Sequence, residues 1–152
     1  MANPPPSHYG DIGQLGEDLV AQWLQSTGWM ILHRRFSSRW GEIDIIAQHC
    51  EKHLTQLAFV EVKTRSCGNW DAGGRNAITP QKQVKIWRTA AMFLAQYPEN
   101  AEYPCRFDVA IVYYSTPYPE STLTLEPLAS LSADGYQFYL QEYIPAAFDS
   151  GD

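Results

Sequence analysis

The chain has 152 residues, 45% of them hydrophobic and 18% charged, which suits one domain with a real core and excludes a disordered chain. Its three cysteines, Cys50, Cys67 and Cys105, are irregularly spaced and include no CxxC pair, which argues against a disulfide framework or a zinc site. The net charge of −6 excludes a uniformly basic nucleic-acid binder, yet all eleven Lys and Arg lie between Arg34 and Arg106 beside seven acids, while the flanks hold ten acids and no Lys or Arg. A polyanion would therefore meet a net-positive middle, with acidic flanks that favour solubility.

Residues 1–10 are rich in proline and read as a flexible N-terminal tail, residues 11–148 as a single domain, and residues 149–152 as a C-terminal tail. Met1–Pro6 has neither a basic n-region nor an apolar h-region, and no apolar run reaches membrane-span length. A cytoplasmic protein with no membrane partner is expected.

In chain order, the spacing predicts a helix over Ile12–Thr27, with Asp11 as N-cap and Gly28 as the stop. Its buried stripe is Ile12, Leu15, Leu19, Val20, Trp23 and Leu24, and Glu17 flanks that stripe while Asp18 points away. Three strands follow, about Trp29–Phe36, Glu42–Gln48 and Leu57–Thr64, joined closely enough for antiparallel hairpins. A glycine-rich loop over Ser66–Ile78 offers Trp70 and Arg75 as exposed side chains.

A second helix is predicted over Pro80–Tyr97, with Thr79 as N-cap and Pro80 at its first position. Val84, Trp87, Ala90, Ala91, Leu94 and Tyr97 make one face, and Lys82, Lys85 and Arg88 another. Arg106–Tyr114 is a fourth strand, parallel to the third because a helix carries the crossover. The chain from Ser115 to Pro127 is loop-like, Asp134-Gly135 marks a turn, and Tyr136–Tyr143 alternates as a last strand at the sheet edge. The fold class is α/β, a sandwich around a mixed sheet.

The chemistry is concentrated in two strands. Trp40-Gly41-Glu42-Ile43-Asp44-Ile45-Ile46-Ala47 and Phe59-Val60-Glu61-Val62-Lys63-Thr64-Arg65 each carry charges inside an apolar, β-branched run. Withdrawing a carboxylate from water costs several kcal/mol unless it is paired or bound to a metal. Residues two apart on a strand share a face, so Glu61 and Lys63 point the same way as Leu57 and Phe59. A hairpin between the second and third strands brings Asp44 towards Glu61, where two carboxylates repel unless a hard cation lies between them.

These residues point to phosphodiester hydrolysis. Asp44 and Glu61 would ligate Mg²⁺ or Mn²⁺, Glu17 would be an auxiliary ligand, and Lys63 would position water or stabilise developing charge. Arg65, Arg75, Lys82, Lys85 and Arg88 would hold the flanking phosphates. Plainer readings stay open: Glu61 and Lys63 as a solvent-facing pair, the helix-two cations as a wet helix face, and Asp108 as the ion-pair partner of Arg106 or Arg65.

Gly13-x-x-Gly16-Glu17, Gly41-Glu42-Ile43-Asp44-Ile45-Ile46-Ala47, Phe59-Val60-Glu61-Val62-Lys63-Thr64-Arg65, Lys82-x-x-Lys85, Arg106-Phe107-Asp108-Val109 and the closing Ile144-Pro145-Ala146-Ala147-Phe148 resemble, in order and spacing, the YraN-like family of uncharacterised bacterial proteins. The resemblance covers about Asp11 to Phe148. That family is similar to the PD-(D/E)xK, restriction-endonuclease-like superfamily, and in layout to archaeal Holliday-junction resolvases. The resemblance implies a three-layer α/β sandwich with an αβββαβ restriction-endonuclease-like core and a Mg²⁺-dependent nuclease site. Its acidic position falls on Asp44, its (D/E)xK on Glu61 and Lys63, and its helix-one glutamate on Glu17. The superfamily's proline before the motif Asp is Ile43 here.

The expected function is a metal-dependent endonuclease acting on DNA, branched DNA included, and working as a homodimer by analogy with junction resolvases. The alternative is a nucleic-acid-binding or assembly module that keeps the fold without cleaving.

Overall fold

The computed structural model describes residues 8–67, 78–116 and 126–148, with side chains from Ile12 onward. The elements are α1 (His8–Ser26), β1 (Met30–Ser38), β2 (Gly41–Glu51), β3 (Leu54–Ser66), α2 (Pro80–Gln96), β4 (Cys105–Ser115), β5 (Ala129–Ala133) and β6 (Tyr136–Phe148). They form one six-stranded sheet in the order β1-β2-β3-β4-β6-β5. β3 and β4 are parallel, joined across the sheet face by α2, and every other neighbouring pair is antiparallel. Among the described residues no helix is long and apolar enough to cross a membrane.

Strand alternation sends successive residues of β2, β3 and β4 to opposite faces, and each face meets one helix. Ile45, Ala47, Ala58 and Val60 pack with Leu19, Val20 and Leu24 of α1. Ile46, Leu57, Phe59 and Ile111 pack with Ile86, Ala90 and Phe93 of α2. The molecule is thus a mixed α/β fold whose sheet lies between α1 and α2.

The predicted α1 stripe lies where expected, with Ile12, Leu19, Val20 and Leu24 buried and Leu15 and Trp23 packed against them. The helix begins earlier than its pattern suggested, at His8, so Asp11 lies within it rather than capping it, and residues 8–10 belong to the helix rather than to a tail. Thr79 does cap α2, its Oγ1 accepting from the Lys82 N–H at 3.2 Å.

The buried face of α2 is rotated from the expected one: Ala90, Leu94 and Tyr97 meet the core as predicted, but Val84 and Trp87 do not. Ile86, Thr89, Ala90 and Phe93 are buried, whereas Val84 and Trp87 are 51% and 39% exposed. The reason is polar as well as apolar. Thr89 is fully buried, yet its hydroxyl is satisfied by the Lys85 carbonyl (2.9 Å) and by Ser38 Oγ (2.8 Å). Phe93 anchors the same face, edge-on to Phe36 and Phe59 at centroid distances of 5.3 and 6.0 Å. This rotation turns Lys82, one turn before Ile86, towards the sheet, while Lys85 and Arg88 face solvent.

At the far side of the sheet, β6 is longer than predicted and is not an edge. It lies between β4 and β5, which leaves β1 and β5 at the edges. β5 was hidden by its small, polar composition, Ala-Ser-Leu-Ser-Ala, although Asp134-Gly135 is a strong hairpin signal. Both turn residues have positive φ, 53° and 79°, as the tight turn requires. Tyr136–Tyr143 is therefore not the free edge that its place at the end of the chain suggested.

The expected Asp108–Arg106 pair is present at 3.1 Å. Asp108, fully buried, also accepts from the Tyr143 hydroxyl (2.5 Å) and the Ala146 N–H (2.9 Å). The β4–β6 register jumps here, with Val109 opposite Ile144 and Phe107 opposite Phe148. Pro145, Ala146 and Ala147 thus bulge around Asp108, and Ala146 takes a positive φ of 50° that turns its N–H to the carboxylate. The closing Ile-Pro-Ala-Ala-Phe segment and the Arg-Phe-Asp-Val strand are two halves of one clasp.

Candidate active site

The β2–β3 ladder ends at the pair Ile45–Val60. One residue beyond it, Asp44 takes over the role of a ladder carbonyl: its Oδ2 accepts from the Val62 N–H at 2.8 Å. The strands part at this point, and Asp44 and Glu61 stand at the opening. Burial raises the Asp44 carboxyl to about 8, reinforced by the negative charge of Glu61 and, further down, of Glu17 and Glu42, against the Val62 hydrogen bond that lowers it.

Glu61 is buried on the α2 side of β3. Its Oε1 receives Lys82 Nζ at 3.2 Å and Lys63 Nζ at 3.7 Å. Its Oε2 is buried and has no hydrogen-bond partner among the described residues. The predicted sharing of one face by Glu61 and Lys63 is what the geometry gives, and the inward turn of α2 adds Lys82. The two amino groups share Glu61 Oε1 and are close enough for each to act on the other's charge. Burial and this contact lower the pKa of Lys63 despite the neighbouring Glu61. Lys82 goes the other way: burial opposes its charge, but the Lys63 amine and the Glu61 carboxylate outweigh that and raise it. Lys63 is the readier proton acceptor of the pair, and Lys82 the standing cation. Arg65 lies two residues further along β3, and its charge acts on Lys63.

Glu17 arrives from the α1 side and stays there. It pairs with Arg35 at 3.1 Å and with Arg34 at 3.7 Å, while Arg34 also holds Asp18 at 2.8 Å. Burial raises its pKa, and Arg35 and Arg34 only partly offset this. Adjacent strand residues normally face opposite ways. Arg35 has a φ of +55°, and this departure lets both arginines reach α1. The sequence pattern gave no sign of it. α1 can seat so close because residue 16 is glycine: a Cβ there would lie 2.2 Å from Thr64 Oγ1 on β3.

Among the described residues no three His, Cys, Asp or Glu side chains converge into a metal-holding group. The expected set of three carboxylates thus resolves into a pair, Asp44 and Glu61, with Glu17 in its own ion-pair cluster. The pair has the donors a hard cation takes, namely an unpartnered Glu61 oxygen and a second carboxylate whose ionisation Glu61 opposes.

Of the other predicted residues, Lys85 lines a groove of about 320 Å³ beside Lys82, Glu42 and Trp40. Arg88 lies over the Trp40 ring, 4.4 Å from its centroid. Arg75 and Trp70 lie outside the described residues. Sequence reasoning passed over Arg34, Arg35 and Trp40. Arg34 and Arg35 stand side by side within β1, where alternation alone would send them to opposite faces.

The chain matches the model described as "Uncharacterised protein family UPF0102" over residues 16–112, a span that takes in Glu17, Asp44, Glu61, Lys63 and Lys82. It is 65% identical over 143 residues to a UPF0102 protein of Trichormus variabilis, covering 91% of this chain and 95% of that one. A UPF0102 protein of Synechocystis sp. is 43% identical over 148 residues, covering 91% and 97%. One from Synechococcus sp. is 36% identical over 146 residues, covering 96% and 97%. With the family model spanning most of the chain and near full-length relatives, the chain belongs to the UPF0102 family, the YraN-like family.

Proposed function

We propose that this chain is a metal-dependent nuclease that hydrolyses phosphodiester bonds in DNA, with a restriction-endonuclease-like αβββαβ core. The observation that carries the reading is the Asp44–Glu61 pair where β2 and β3 part, with the buried, unpartnered Glu61 Oε2 and Lys63 beside it. A carboxylate such as Asp44, whose ionisation is opposed by burial and by the charge of Glu61, is costly unless it has a use. Asp44 and Glu61 would hold Mg²⁺ or Mn²⁺, and Glu17 would act on them only through its charge.

The cation, when bound, would acidify water and offset charge at the reacting phosphorus. Lys63, with its lowered pKa, would take a proton from the attacking water or orient it. Lys82, kept cationic, would face the non-bridging phosphate oxygens once the metal takes over the neutralisation of Glu61. Lys85, Arg88 and Arg65 would bind the flanking backbone.

A second reading is a nucleic-acid-binding or assembly module that does not cleave. The double engagement of Glu61 by Lys63 and Lys82 favours it, because those ammoniums already neutralise the carboxylate. The two readings separate in a cleavage assay across single-stranded, duplex, flap and four-way-junction DNA, plus RNA, in Mg²⁺, Mn²⁺ or EDTA. Metal-dependent cutting that Asp44→Ala abolishes supports the nuclease. Binding without cutting on every substrate, with the fold intact, supports the module.

A further inference from the structure

Trp40 occupies the β1–β2 turn and is only half-buried. Two guanidiniums lie over its ring, those of Arg88 at 4.4 Å and Arg39 at 4.8 Å from the centroid. Among the described residues neither Arg39 nor Arg88 is paired with a carboxylate, and neither is Lys85. Two guanidiniums without a carboxylate partner among the described residues thus cover one indole, and Lys85 lines the same groove as that indole.

The turn that presents Trp40 is fixed. Its N–H donates to Ser38 Oγ at 3.0 Å, Ser38 Oγ lies 2.8 Å from Thr89 Oγ1, and Thr89 donates to the Lys85 carbonyl at 2.9 Å. The Ser38 and Thr89 hydroxyls bond to each other, so the turn is tied by hydrogen bonds to α2. Gly41, at φ +145°, supplies a backbone angle that other residues rarely adopt. The indole also walls the 320 Å³ groove that contains Lys82. Because the Lys82 amino group ends on Glu61, this groove opens towards the carboxylate pair.

We propose that Trp40, with Arg39 and Arg88, is a stacking platform for an unpaired nucleobase beside the reactive phosphate, so that the substrate carries a single-stranded segment. A base would take the place of one guanidinium on the ring, and the displaced cation would follow the phosphate. Glu42, the one acid among the described residues that line the groove, would keep the phosphates on the side of Lys85. Stacking rather than hydrogen bonding makes this platform indifferent to base identity. The proposal rests on the nucleic-acid reading above and adds the substrate form.

The test is equilibrium binding of the full chain in EDTA, where cleavage does not interfere. The probes are a single-stranded oligonucleotide, a blunt duplex, a duplex with an overhang, and the overhang with abasic sites. Trp40→Ala is expected to weaken single-strand and overhang binding by about five- to a hundredfold and leave blunt-duplex binding unchanged. Trp40→Phe should retain most of the affinity. Abasic sites should cost the wild type as much as the mutation does, and cost Trp40→Ala little more. Equal loss on all probes, or no loss on any, overturns the platform while leaving the nuclease reading to its own cleavage assay. Failure of the wild type to bind any probe overturns the platform and the nucleic-acid substrate together. Trp40-dependent binding in a protein that never cuts upholds the platform and removes the nuclease.

Discussion

Lys82 Nζ, on the first turn of α2, lies 3.2 Å from Glu61 Oε1, closer than Lys63 Nζ at 3.7 Å on the same strand as Glu61. The helix cation is thus the nearer partner of the motif glutamate. It gets there because the buried stripe of α2 runs through Ile86, Thr89 and Phe93, which turns Lys82 inward. Lys82 joins the site to the groove in which Lys85 and Trp40 stand.

Lys82 and a divalent cation should compete for Glu61. Removing the ammonium leaves the carboxylate pair more negative, so Lys82→Gln is expected to tighten Mn²⁺ binding several-fold in a calorimetric titration. Asp44→Asn should weaken it by tenfold or more. Catalysis should move the other way, with Lys82→Gln slowing cleavage by roughly 10²-fold, the usual cost of one lost charge-stabilising donor. If Lys82→Gln weakens metal binding as Asp44→Asn does, Lys82 is supporting the site rather than competing for it.

Asp44 makes stability depend on pH in a defined direction. Its folded pKa of about 8 lies above the ordinary 3.8, so the native state holds this proton more tightly than the unfolded chain. Stability from this group is fully present below about pH 4 and is lost as pH rises through 8. In EDTA the wild type should lose several degrees of melting temperature relative to Asp44→Asn between pH 5 and 8.5, at roughly 2–4 °C per kcal/mol for this size. Mg²⁺ should restore the difference at the alkaline end. Parallel curves for the two proteins would sink the assignment.

The strands and the acidic motif were legible because charges stood out against alternating apolar residues in β2, β3 and β4. What the sequence hid were choices that hydrophobicity does not register. Thr89 is polar yet buried, because Ser38 and the Lys85 carbonyl satisfy its hydroxyl; Trp87 is apolar yet exposed. Periodicity therefore placed Ala90, Leu94 and Tyr97 correctly against the core but put Val84 and Trp87 there in place of Ile86, Thr89 and Phe93, and left Lys82 outside. The positive φ of Arg35, which sends both arginines to Glu17, belongs to no residue pattern. Glu17 looked like a ligand because the sequence showed which face of α1 it borders, but not that two arginines meet it there.

The Asp108 clasp carries stability rather than chemistry. Its carboxylate is fully buried and accepts from Arg106, Tyr143 and Ala146, and the Tyr143 hydroxyl is pushed above its ordinary range by burial and by Asp108. Asp108→Ala strands the Tyr143 hydroxyl and the Ala146 N–H at once and should cost about 3–5 kcal/mol in urea unfolding. Tyr143→Phe removes one of three donors and should cost about 1.5–3 kcal/mol. Metal affinity of the folded fraction should not change. An Asp108→Ala protein as stable as the wild type would mean that water replaces the clasp.

Gly16 sets how closely α1 can approach the sheet. Alanine is the better helix former by about 1 kcal/mol, so on propensity alone Gly16→Ala would stabilise α1. The packing argues the reverse: the new Cβ would lie 2.2 Å from Thr64 Oγ1 and 3.3 Å from Thr64 Cβ. Thr64 is β-branched and stiff, so α1 would have to move outward, at a cost of about 1–3 kcal/mol. The clash should win, and the melting temperature should fall. Because Glu17 is the next residue, the shift should also loosen its contacts with Arg34 and Arg35. Thr64→Ala removes the hydroxyl, so the Gly16→Ala/Thr64→Ala double variant should recover most of the loss that Gly16→Ala causes alone. Strict additivity of the two changes would show that the helix–strand approach at Gly16 is not what positions α1.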